Sequence, residues 1–287
     1  MNTLLLTLTL LISFNSYADY QDGLDAYEKG DYKTAFNEWQ PLAEQGDSEA
    51  QYKLGYLYDF GEGVLKDDKE AVKWYTKAAE QGLSKSQYNL SLMYYEGEGI
   101  EQDYIEAVKW LTKAAEQGDA DAQYNLGVMY DEGQVVIKDY KEAVKWYTKA
   151  AEQGDADAQY NLGSMYRDGK GVEQDYKKAV GWYTKSAEQG DANAQNTLGW
   201  MYRNGKGVEQ NSKEAVNWYT KSAEQGYATA QYNLGWMYYS GKGVLKDLSK
   251  AKYWFKKAYE NPEASSEVVN KAKEIEANVK DGKEDGK

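Results

Sequence analysis

The sequence predicts an all-α fold, a solenoid of antiparallel helix pairs, and three observations carry that prediction. The tetrapeptide Ala-Glu-Gln-Gly begins at Ala43, Ala79, Ala115, Ala151, Ala187 and Ala223, always 36 residues apart. Each interval contains two stretches whose apolar residues recur at helical spacing. Only two prolines, Pro41 and Pro262, occur in 287 residues, which suits a chain made almost wholly of helices. A period of this length marks a stack of similar supersecondary units. Such stacks bury their cores between neighbouring units and offer long surfaces to partners. The sequence therefore points to binding along a surface and leaves the ligand open.

The elements follow in order. Residues 1–18 read as a secretory signal peptide. Leu4 to Ile12 is an apolar stretch too short to span a bilayer, and Ser16-Tyr17-Ala18 places small residues before a cut at Asp19. The segment has no Lys or Arg, so only the terminal amine supplies positive charge. With no Cys to follow it, lipidation is excluded, and no membrane insertion is expected after signal removal. Residues 19–47 read as a helix pair with a tight Gly30-Asp31 turn and a kink at Pro41. Residues 48–263 hold six full repeats. Residues 264–280 read as a polar capping helix, and 281–287 as a short, charged, disordered tail.

The repeat from Ala158 to Gln189 shows the grammar. Ala158, Leu162, Met165 and Tyr166 fall on one helical face, with Asp155 placed to cap the N-terminus. Gly169-Lys170-Gly171 is a turn. A second helix starts at Asp175 with Ala179, Trp182, Tyr183 and Ser186 as its stripe, and Gly190 ends it. Asp67, Asp103 and Asp139 each precede a Glu by three residues, and Asn211 precedes Glu214, the pattern of a capping box. Trp74, Trp110, Trp146, Trp182, Trp218 and Trp254 form one in-register column, expected in the core. Gly55, Gly127, Gly163, Gly199 and Gly235 form another, expected where two helices approach closely; Ser91 interrupts it. Val135 replaces the second turn glycine of the third repeat, so that loop is expected to differ in shape.

Composition removes several functions. The net charge is −13, which argues against nucleic acid as a partner because phosphate binding needs clustered Lys and Arg. The chain has no Cys and no His, so thiolate and His-base catalysis and most zinc sites are absent, and no cofactor is expected. Asp119-Ala-Asp121 and Asp155-Ala-Asp157 lack the glycine that a calcium loop requires and read as helix caps.

The pattern Ala-x-x-x-Leu-Gly-x-x-Tyr, then Gly-x-Gly-Val-x-x-Asp, then Ala-x-x-Trp-Tyr-x-Lys-Ala-Ala resembles the Sel-one-like repeat, a relative of the tetratricopeptide repeat. The match covers roughly residues 48 to 263. The resemblance implies a right-handed superhelix and adaptor or scaffold roles, often in secreted or periplasmic bacterial proteins, some of which engage host proteins. It also implies that the first helix of each pair lines the concave face. Three columns then face inward: Tyr52, Tyr88, Tyr124, Tyr160, Asn196 and Tyr232; Tyr56, Leu92, Val128, Ser164, Trp200 and Trp236; and Asp59, Tyr95, Asp131, Arg167, Arg203 and Tyr239.

Arg167 and Arg203 are the only arginines of the chain and occupy one column in adjacent repeats, beside Trp200 and Trp236 in another. Trp, Tyr and Arg are enriched at binding hot spots. The candidate groove is therefore Tyr160, Arg167, Trp200, Arg203, Tyr232, Trp236 and Tyr239, taking an extended protein or peptide segment with aromatics as anchors and arginines pairing a carboxylate. The competing reading packs the two tryptophans between repeats and pairs the arginines with Asp168 or Glu173. A binder of cell-wall glycan or peptide is the alternative function, since Tyr and Trp also stack on sugar rings. A β-lactamase-like hydrolase is the third. Ser249-Lys-Ala-Lys252 matches Ser-x-x-Lys, but neither Lys-Thr-Gly nor Ser-Asp-Asn occurs, and no enzyme activity is expected.

Overall fold

The computed structural model describes residues 20–280, with side chains placed to residue 277. The expected signal peptide and the tail at 281–287 lie outside the described residues. Fifteen helices follow one another, and no strand occurs among the described residues. α1 spans residues 20–28. The next are α2 (Tyr32–Glu44), α3 (Ser48–Phe60), α4 (Asp68–Glu80), α5 (Ser84–Glu96), α6 (Tyr104–Glu116) and α7 (Ala120–Glu132). Then come α8 (Tyr140–Glu152), α9 (Ala156–Asp168), α10 (Tyr176–Glu188), α11 (Ala192–Asn204), α12 (Ser212–Glu224), α13 (Ala228–Ser240), α14 (Leu248–Glu260) and α15 (Ser266–Lys280). The chain divides into two compact units, one ending at Lys138 and the other beginning at Asp139. Within each, every helix from α2 onward packs on the next, as short turns between helices of equal length require.

Helix boundaries are set locally. Asp47, Asp119, Asp155 and Asp191 accept the N–H three residues on and start the odd-numbered helices. Leu83 and Tyr227 stand at the same place without a side-chain cap. Ahead of the even-numbered helices only half of the expected capping box forms. Asp67 accepts from the Lys69 and Glu70 amides. Glu70, however, turns to Lys73 at 2.7 Å, and Glu106 and Glu142 turn likewise to Lys109 and Lys145. The cap's own N–H is already engaged: Asp67 N–H donates to the Tyr58 carbonyl and Asp103 N–H to that of Tyr94, each at 3.0 Å. The preceding helix supplies the acceptor that the Glu would have supplied. α2 continues through Pro41 to Glu44.

The glycine column clears room for a ring rather than for a helix. A Cβ on Gly55 would lie 2.6 Å from the Tyr75 ring, and on Gly163, Gly199 and Gly235 it would lie 2.9, 2.6 and 2.9 Å from Tyr183, Tyr219 and Phe255. Gly23 stands in the same relation to Trp39, so the first pair obeys the rule too. These rings, together with Tyr147, are the largest side chains fully buried. The tryptophan column is in the core as expected in its first three members and is corrected in its last three. Trp74, Trp110 and Trp146 are buried, but Trp182, Trp218 and Trp254 are only half-buried. Trp74, Trp110, Trp146, Trp182 and Trp218 each carry the lysine of the next helical turn over the ring, with the ammonium 3.9–4.2 Å from the centroid. Trp182 and Trp218 stay at the edge of the core with a cation on the outer face while Tyr183 and Tyr219 go inside, whereas Trp74 and Trp146 are buried together with Tyr75 and Tyr147.

A buried glutamine ladder ties the repeats together. Gln195 donates to the Ala187 carbonyl at 3.0 Å, and Gln225 of the next Ala-Glu-Gln-Gly donates to Gln195 Oε1 at 2.8 Å and to the Gly190 carbonyl at 2.9 Å. Gln51 and Gln81, Gln87 and Gln117, and Gln159 and Gln189 repeat the pairing. Asn261 takes the final rung, donating to the Gly226 carbonyl just before Pro262. The repeated tetrapeptide is therefore an interface device as well as a helix end.

The loop with Val135 keeps the backbone twist of the glycine it replaces. Its φ is +62°, against +69° at Gly99 and +70° at Gly171. Its hydrogen bonding differs, as expected. Glu98 and Lys170 donate back to Met93 and Met165, whereas Val136 donates to the Gln134 carbonyl across a γ-turn centred on Val135. A β-branched residue at this φ is strained by about 1–3 kcal/mol. Val135→Gly is therefore expected to stabilise the first unit by about 1 kcal/mol after glycine's own entropy cost, read as a melting temperature higher by a few degrees.

Candidate functional site

The second unit carries a cavity of about 580 Å³ on the first-helix side. Arg167 of α9, Trp200 of α11 and Tyr232 of α13, all expected in the groove, line it together. Asn196 and Thr197 of α11, with Thr229 and Asn233 of α13, add amides and hydroxyls. No residue of α10, α12 or α14 lines it. The far wall is Ser265 with Glu267, Val268 and Lys271 of α15. The C-terminal helix is thus part of the site, which its reading as a polar cap missed. The signal was present as Val268 and Ala272, buried on α15 against Phe255 and Ala258, which seat that helix on α14.

Trp200 is 41% exposed and its ring borders the cavity. Trp236 packs against the cores around Met237 and Phe255, so of the two tryptophans only Trp200 borders the cavity. Arg203 lies on Trp236, with its guanidinium carbon 4.0 Å from the ring centroid. Arg167 engages Asp168 in a two-pronged pair at 2.7 and 3.0 Å. That hydrogen-bonded pair holds the Asp168 carboxyl below the usual carboxylate range and Arg167 above its ordinary value. Neither arginine offers a bare fork to a ligand. Lys271, on the opposite wall, pairs with Glu267. Tyr160 packs on Tyr183 with centroids 5.5 Å apart, Tyr232 packs on Phe255 at 5.7 Å, and Tyr239 carries Lys246 at 5.9 Å. Of the seven expected residues, the cavity gathers three; Tyr160, Arg203, Trp236 and Tyr239 do not line it.

The first unit has its own recesses. One of about 360 Å³ is lined by Tyr52, Tyr56, Asp59, Phe60 and Glu96, among others, with the Tyr56 and Phe60 rings stacked at 4.4 Å. Asp59 accepts from the Tyr75 hydroxyl at 3.1 Å, and burial raises its carboxyl above the ordinary value. A folded-state pKa above the unfolded one means that the folded chain binds the proton more readily. The carboxylate therefore costs stability at neutral pH, and the cost disappears as pH falls through the folded-state value. Asp59→Asn keeps an acceptor for Tyr75. It is expected to raise the melting temperature at pH 7 and to leave it unchanged near pH 3.

The Sel1 repeat model matches residues 48–83, 84–119, 120–155, 156–191, 192–227 and 228–262. A protective antigen present in uropathogenic Escherichia coli strains, displaying an SLR fold, is 35% identical with a TM-score of 0.82 over 94% of this chain. This chain spans 62% of that antigen's length. A Sel1 repeat protein from Oxalobacter formigenes is 39% identical with a TM-score of 0.73, over 86% of this chain and 98% of its own. The C-terminal part of a TPR repeat-containing protein from Cytophaga hutchinsonii shares the fold at 14% identity, with a TM-score of 0.51 over 88% of this chain and 98% of its own. The curated proteins give no match. Sel1 repeat proteins are generally protein-interaction scaffolds and generally non-catalytic. No described helix is long and apolar enough to cross a membrane.

Proposed function

Because this chain belongs to the Sel1 repeat family, we propose that it is an exported, non-catalytic scaffold that takes an extended segment of a protein partner along the first-helix face of α9, α11 and α13. The observation that carries this reading is the 580 Å³ cavity, whose floor comes from three successive first helices and whose end wall comes from α15. A row of first helices presents side chains in register every 36 residues, which suits an extended chain better than a compact small molecule. Trp200 is the apolar anchor. The Asn196, Thr229 and Asn233 side chains can bond a peptide backbone, and Arg167 and Lys271 stand at the cavity, each held by a neighbouring carboxylate. Export rests on the reading of residues 1–18, and the site of action is the periplasm or the cell exterior.

The test compares the parent protein with a Trp200→Ala, Lys271→Ala variant in crosslinking capture from cell-envelope extract. Both residues lie at the cavity rim and neither fills the core, so the variant's melt should match the parent's. Loss of a hot-spot anchor is expected to weaken capture of the partner about 30-fold. Equal capture of the same partner by both proteins would move the site off this face. Binding of glycan fragments in place of a protein would replace the scaffold reading with a wall-binding one. Export is read separately, by fractionating cells that carry the full chain or a form lacking residues 1–18.

A further inference from the structure

The second repeat breaks the ring-over-glycine rule twice, at both partners. Ser91 stands where the glycine should be, and Leu111 stands where the other repeats place Tyr or Phe. The two changes belong together. Elsewhere a Cβ at the glycine would lie 2.6–2.9 Å from the ring, so a serine and a ring cannot share the site. The place the ring would fill is open: a cavity of about 220 Å³ is lined by Ser91, Leu92, Tyr95, Leu111, Asn125 and Val128, among others.

The lining matches the surroundings of a phenol. In the preceding repeat the Tyr75 hydroxyl meets Asp59 and is also bonded by Asn89. Tyr95 and Asn125 occupy those two positions one repeat later, and both line the cavity. The Asn125 amide donates to the Tyr88 hydroxyl at 3.0 Å. Repeat five shows how tightly a ring is otherwise held, with Tyr219 fully buried above Gly199.

We propose that this cavity between α5 and α7 is a receptor for an aromatic side chain, Tyr or Phe, presented by a bound polypeptide. The partner's ring takes the place that the chain's own ring takes in its other repeats, with apolar contacts from Leu92, Leu111 and Val128 and a polar end at Asn125. The site lies in the first unit and is separate from the α15-walled cavity. It shares with the scaffold reading only the class of ligand, and failure of either leaves the other standing.

The test uses the full chain with methyl-labelled Leu, Val and Met, titrated with p-cresol and with a capped Gly-Gly-Tyr-Gly-Gly peptide. Both probes are expected to shift the methyl signals of Leu92, Leu111, Val128 and Met129 at millimolar concentration and to compete with each other. The Ser91→Gly, Leu111→Tyr double variant rebuilds the repeat's own ring. It is expected to melt at or above the parent's temperature and to lose at least tenfold in affinity for both probes. Leu111→Tyr alone, with Ser91 retained, should melt lower, and the added glycine should rescue it. Unchanged binding by a folded double variant, or no shift of these methyls, would overturn the site. Binding of p-cresol without the peptide would overturn delivery of the ring on a polypeptide.

Discussion

Gln195→Ala is expected to destabilise the second unit by about 3 kcal/mol. Gln195 is 4% exposed and sits between two repeats, donating to the Ala187 carbonyl behind it and accepting from Gln225 ahead. Its loss removes a donor from a buried carbonyl and an acceptor from the Gln225 amide. A buried polar group left without its partner costs about 1–3 kcal/mol, and the space vacated by the side chain adds about 1 kcal/mol. Gln225 is exposed and keeps the Gly190 carbonyl as a partner in this variant, so part of its bonding survives. Repeat stability is a sum of intrinsic terms and nearest-neighbour interfaces. The loss should therefore show first as faster hydrogen exchange in α10, α11 and α12, while α14 and α15 exchange as before. Denaturant melts of the parent and of Gln195→Ala measure the total. A change below about 1 kcal/mol would mean that the ladder is incidental to interfaces held by apolar packing.

Gly199→Ala is the second large effect, a loss of about 2 kcal/mol from one added methyl group. Alanine is the better helix former by about 1 kcal/mol, so a surface helix would gain from the change. Here the new Cβ would sit 2.6 Å from two carbons of the Tyr219 ring, which is fully buried and has no room to retreat. Overpacking of this kind costs about 1–3 kcal/mol and can exceed the propensity gain. The second repeat supplies the remedy, since Ser91 and Leu111 coexist there. Gly199→Ala combined with Tyr219→Leu should be less destabilised than the sum of the two single changes, with a coupling of about 1–2 kcal/mol. Additive effects in the four-variant melting cycle would show that the glycine serves the helix backbone and not the ring.

These two cases mark where sequence reasoning reached and where it stopped. The helix start at Asp155 and the turn at Gly169 depend on residues within one turn of each other, and they were legible as such. The identity of the buried ring was not. Trp182 and Tyr183 are adjacent on one stripe, and periodicity alone cannot say which points inward. Lys185 over Trp182 and Gly163 beneath Tyr183 decide it, and the glycine lies 20 residues away in sequence. The candidate groove shows the same division. Columns 36 residues apart brought Arg167, Trp200 and Tyr232 to one cavity, but the pairing of Arg167 with Asp168, the stacking of Arg203 on Trp236 and the α15 wall are outcomes of packing.

By itself, the sequence determined the all-helical class, the 36-residue unit, the turn positions and the family, because each is written in local periodicity repeated six times. Only the tertiary structure decided that glutamines bridge repeats, that Tyr183 and Tyr219 are core while Trp182 and Trp218 sit at its edge, and that the second repeat leaves a ring-sized space. Those features join side chains 16 to 37 residues apart. Their energies come from desolvation and close packing, which exist only once neighbouring helices have met.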